Sequence, residues 1–131
     1  MSDHFEKVKG YLTELGFEVA SEDEAEEIII INDESQGIKN LIIDCEHPIL
    51  VLEQFIFELK KEDSEILKRL LQMNREMVHG SFVLEETGKH VLFRDTLQLE
   101  NLDLNELEGS IKSLTLALAE FSDDLINFAK S

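Results

Sequence analysis

EEIIIINDESQGIKNLIIDCEHPILVLEQFIFEL, residues 26–59, holds three runs rich in β-branched and aromatic residues, cut apart by turn-forming clusters. The first run, Glu26 to Asn32, contains four consecutive isoleucines, Ile28 to Ile31. Asp33-Glu34-Ser35-Gln36-Gly37 has the composition of a hairpin connection. The second run, Ile38 to Cys45, alternates through Leu41, Ile43 and Cys45. His47-Pro48 marks a break, and the third strand is expected from about Ile49 to Leu59. On it Ile49, Val51, Phe55, Phe57 and Leu59 share one parity, while Leu50, Leu52 and Ile56 share the other.

An antiparallel sheet with one solvated face shows polar residues at every second position. This stretch does not. Leu50, Leu52 and Ile56, with two of the four isoleucines, have nowhere polar to point, so a second layer or another chain must cover them. With so few elements in the chain, partial cover by a partner is the expectation, and these three residues are the candidate partner-binding set.

Working outward, Phe5, Val8, Tyr11, Leu12 and Leu15 fall at spacings of three and four, one stripe of a helix over Asp3 to Leu15. Gly16 stands where a left-handed cap is expected. Phe17 and Val19 suggest a short strand, and Ser21-Glu22-Asp23-Glu24 reads as a turn. Downstream, Ser64 to Met77 carries a broad apolar helical face, with Asp63 or Ser64 as N-cap and Gly80 closing the segment. A hairpin follows, Ser81–Glu85 and His90–Leu97, around Gly88. Asp103 and Glu106 form a capping-box-like start to a last helix. From Leu104 to Phe128 its apolar residues step by threes and fours, the register of an amphipathic helix packed on a sheet or of a short coiled-coil seam. Gly109 inside it costs about 1 kcal/mol of helix propensity relative to alanine.

The expected order is α-β-β-β-β-α-β-β-α in one domain spanning residues 1–131. That is the α+β class: a twisted antiparallel sheet flanked by helices. Twenty-nine acidic residues against twelve basic ones give a formal net charge of −17. Residues 1–62 carry sixteen acids and five bases, and no base interrupts the eight acids between Glu18 and Glu34. Phosphate backbones and anionic lipid would repel such a surface, so neither nucleic acid nor membrane is an expected partner. Met1 to Lys9 holds four charges and no apolar run, hence no secretory leader is expected. The single cysteine, Cys45, cannot pair within the chain and suits a reducing cytoplasm.

Signals for chemistry are sparse. Cys45 and His47 lie two apart on a strand and can face the same way, but Cys45 shares the parity of Leu41 and Ile43, which favours a buried structural thiol. One cysteine and four scattered histidines lack zinc-ligand spacing, and the acidic clusters lack the pattern of a calcium loop. There is no phosphate-binding glycine loop and no nucleophile elbow. No cofactor and no catalytic activity are expected.

Residues 66–125, ILKRLLQMNREMVHGSFVLEETGKHVLFRDTLQLENLDLNELEGSIKSLTLALAEFSDDL, resemble the type III secretion chaperone-like family, including the Tir chaperones and their YbjN-type relatives. Matching features are the paired leucines with Asn74, Gly80 before a strand, Gly88 in a hairpin turn, and Leu97/Leu99 leading to Leu102-Asp103. The resemblance implies a small acidic homodimer that holds an extended client segment on apolar sheet and helix surface. A YbjN-like regulator or adaptor binding one folded partner is the alternative it leaves open.

Overall fold

The structure is a computed structural model and describes residues 3–131. Helix α1 (Asp3–Glu14) buries Phe5, Val8 and Leu12, the stripe that its three-and-four spacing predicts. Strands β1 (Val19–Asp23), β2 (Ile28–Asp33), β3 (Ile38–Glu46) and β4 (Ile49–Glu58) follow, with a short 3-10 turn over Glu34–Gln36. Then come α2 (Ser64–Asn74), β5 (Ser81–Leu84), β6 (His90–Gln98), α3 (Leu104–Glu120) and α4 (Ser122–Lys130). All six strands form one antiparallel sheet in the order β1-β2-β3-β4-β6-β5. The chain is α+β, with strands and helices in the expected sequence as far as α3.

Three boundaries differ from expectation. Ser21 to Asp23 are paired with Ile30 to Ile28, so the acidic cluster is strand and the turn falls at residues 24–27. An edge strand with one free side tolerates charged side chains that local turn propensity alone would assign to a loop. Helix α2 stops at Asn74, short of Met77, and the Asn74 amide is used elsewhere: Nδ2 donates to Phe82 O at 3.1 Å and Oδ1 accepts from Phe82 N at 2.8 Å. One side chain thereby mimics a strand partner for β5. The terminal helix is two, breaking at Phe121 (φ −104°, ψ 14°). Asp123 and Asp124 in the first turn of α4 suit a helix N-terminus electrostatically, while the apolar step runs unbroken through the junction.

Both expected caps are present. Asp63 accepts from the amides of Glu65 and Ile66, and Asp103 forms a full capping box with Glu106. Each satisfies amide groups that a helix start leaves without intrahelical partners.

All helices lie on one face of the sheet. The larger core cluster joins Ile29, Ile31, Leu41, Ile43, Leu50 and Leu52 of the strands to Phe5, Val8 and Leu12 of α1 and Leu107, Ile111 and Leu114 of α3. The second joins Phe57, Val91 and Phe82 to Ile66, Leu70 and Met73 of α2 and to Phe121 and Leu125. A bulge between Phe55 and Phe57 lets β4 serve both clusters, because the extra residue shifts the parity that meets the helices. Just before that bulge Gln54 is buried, donating from Nε2 to Gly37 O at 3.0 Å and accepting from Lys39 N at 3.0 Å. Gly109 also has a packing reason: a β carbon there would sit 3.3 Å from His79 Nε2.

Candidate protein-binding face

Because the helices take one face, the pleat turns every second strand residue toward the other, where no helix among the described residues packs. The register sets these residues in cross-strand rows. Ile28, Asp44, Val51 and Thr96 share one row; Ile30, Ile42, Glu53 and Arg94 share the next. Beyond them Phe55 pairs with Leu92 and Leu92 with Val83. The result is a broad apolar surface on the sheet. Phe55 is 55% exposed and Ile42 39%, whereas Val51, flanked within its row by Asp44 and Thr96, is buried on the same face.

The structure corrects which residues of β4 look outward. Leu50 and Leu52 are 0% exposed inside the chain's own core, and Ile56, at the bulge, packs against both clusters. The opposite parity, Ile49, Val51 and Phe55, forms the open face. Both parities of the strand are apolar, so hydrophobicity alone could not choose between them. The better signal lay in the charges: Asp44 and Glu46 on β3 and Glu53 on β4 all stand on the open side.

Asp44 sits among apolar neighbours in its row, and its carboxyl is pushed up to about 6, first by burial and then by the hydrogen bond and charge of Glu46, with Glu26 and Glu53 adding to it. A raised carboxyl binds protons more tightly folded than unfolded, so the folded state loses stability as pH climbs from about 4 to about 6. Asp44→Asn is therefore expected to raise Tm at pH 7 and to leave it unchanged near pH 4. Thermal melts of both proteins across that range check this; equal Tm at pH 7 would show that Asp44 carries no penalty.

A second apolar surface lies between the α2–β5 connection and α3. Val78 is 80% exposed and Leu116 64%, and together with Met77, Ala117 and Phe121 they border a groove of about 470 Å³. Val78 follows the end of α2 and belongs to no helical stripe, which is why periodicity does not flag it.

Cys45 is buried, and burial, with Glu27 and Asp44 behind it, pushes its thiol up to about 12, so it stays protonated at neutral pH. His47 is turned to Glu27, at 3.3 Å, and stacks obliquely with His4. Neither residue is set up as a nucleophile–base pair. No helix among the described residues is long and apolar enough to cross a membrane.

The family model CesT_Tir_1, that of the Tir chaperones, matches residues 1–131. The chain belongs to the Tir chaperone family. No curated protein sequence matches this Tir chaperone family member closely enough to count as a relative. Among solved structures, E. coli YbjN superposes with a TM-score of 0.68 at 10% identity, over 91% of each chain. A structure of the ExsC–ExsE complex gives 0.61 at 20% identity, over 88% of this chain and 92% of that one. The HopA1–SchA chaperone–effector complex gives 0.60 at 14% identity, over 97% and 94%. At such identities the likeness is one of fold, and the fold is that of the type III secretion chaperones.

Proposed function

We propose that this chain is a non-catalytic, homodimeric binding module that holds a segment of another polypeptide against the open face of its sheet. The observation that carries the reading is the apolar surface around Ile42 and Phe55, on which no helix among the described residues packs. Exposed apolar patches of this kind mark protein–protein contact sites. Family membership supports a chaperone role, and fold neighbours solved as a chaperone–effector complex agree with it. An extended client suits such a face, because alternate side chains of a strand-like segment point one way and can meet the rows between Ile30 and Phe55.

Affinity capture of the tagged protein from its host, run in parallel with Phe55→Asp, tests this. One dominant partner, bound through an unstructured segment and lost from the variant while the circular dichroism spectrum stays unchanged, is the expected result. A folded partner retained by Phe55→Asp would favour the regulator or adaptor reading. Light scattering is expected to show a dimer, and a strict monomer would remove that part of the proposal.

A further inference from the structure

The open face is apolar but not neutral. Asp44 stands within it, between Ile28 and Val51 in the same row, and Glu46 is two residues along the same strand face. Glu46 lies near enough to help push the Asp44 carboxyl up, so Asp44 has an acid for a neighbour. Glu53, in the adjacent row, is paired with Arg94 at 3.2 Å, which engages the basic residue of these two rows. The charge of Glu26 reaches Asp44 as well.

We infer that the open face takes an amphipathic basic segment of a partner polypeptide, with apolar side chains on Ile42 and Phe55 and a lysine or arginine reaching the Asp44–Glu46 pair. The inference rests on reading this face as the binding surface and adds the chemistry of what binds there. Covering the face with a neutral segment would strip water from two carboxyls and return nothing. An acidic segment would add repulsion. A cation placed at the pair replaces the lost hydration and relieves the repulsion between the two acids, so charge selects among segments of equal hydrophobicity. A second copy of this chain is a poor occupant: a two-fold arrangement through this face would bury Asp44 and Glu46 of both copies, while Arg94, the basic residue of these rows, is already paired with Glu53. The net charge of −17 further steers basic chains toward the protein.

The test uses the full chain and two labelled synthetic peptides with the same leucine pattern, one with lysine and one with glutamine at the polar positions. Binding is read by fluorescence anisotropy at neutral pH and physiological salt. The lysine peptide is expected to bind more tightly than the glutamine peptide, and Asp44→Asn/Glu46→Gln to weaken it about tenfold. The exposed pair Glu14→Gln/Glu18→Gln, which removes the same charge elsewhere, is expected to leave it unchanged. Equal weakening in both variants would overturn the inference in favour of general attraction to an acidic protein. If both peptides bind alike and both are lost with Phe55→Asp, the face binds protein but its acids do not select. If Phe55→Asp changes neither, or the lysine peptide does not bind at all, the face is not the binding surface and the inference falls with it.

Discussion

Gly80→Ala is expected to destabilise the protein by about 3 kcal/mol or more, because two independent costs meet at one residue. The backbone of Gly80 is left-handed, φ +72°, a conformation that costs a residue with a β carbon about 1–2 kcal/mol. A β carbon would also lie 2.6 Å from Phe93 Cζ and 3.0 Å from the carbonyl oxygen of Arg94. Phe93 is fully buried on β6, next to the edge strand β5, so the overlap forces its ring, the strand or the core to shift, adding about 1–3 kcal/mol. Gly88 is the control. It too is left-handed, φ +79°, but nothing lies within 4 Å of its β-carbon position. Urea unfolding of the two alanine variants separates the terms: Gly88→Ala should show the backbone cost alone. Equal losses at the two sites would mean that Phe93 yields without penalty.

Gln54→Leu is expected to cost about 2–4 kcal/mol, although leucine is the more hydrophobic residue at a buried position. The Gln54 amide holds Gly37 O and Lys39 N, where β3 leaves the 3-10 turn and before its regular pairing with β4 begins at Ile42. Leucine fills the space but strands both backbone groups, each at about 1–3 kcal/mol. The urea midpoint should fall with the slope unchanged, and the Lys39 amide should exchange its proton faster. A loss below about 1 kcal/mol would show that water takes over both bonds.

Most of the architecture was readable from local rules, because its determinants are local. Isoleucine runs broken by Asp33–Gly37 and by His47-Pro48, glycine at the hairpin turn, and aspartates at positions 63 and 103 each act within a few residues of themselves. What could not be read depends on distant parts of the chain. Which side of β4 meets the helices is decided by α1 and α3, and the bulge at Ile56 reverses parity midway, so Phe57 looked like a companion of Phe55 and is not. The length of α2 is set by the demand of β5 for the Asn74 amide, a partner eight residues away in sequence. The junction at Phe121 is invisible because both helices keep one apolar register across it. As for the candidate binding surface, the sequence displays its excess of apolar strand residues plainly; Leu50, Leu52 and Ile56 face the core, and the mark of the open parity is its acids, Asp44, Glu46 and Glu53.

The single helical layer has a further consequence for how such a protein can change. Along each strand the pleat sends neighbouring residues to opposite duties, one set holding the molecule together and the next meeting the outside. On the proposed reading of the open face, a substitution at Ile42, Phe55 or Leu92 would change what is recognised there, while the packing of Ile43, Leu52 and Phe93 behind it stays as it was. On that reading, recognition could drift from one lineage to the next at little expense in folding.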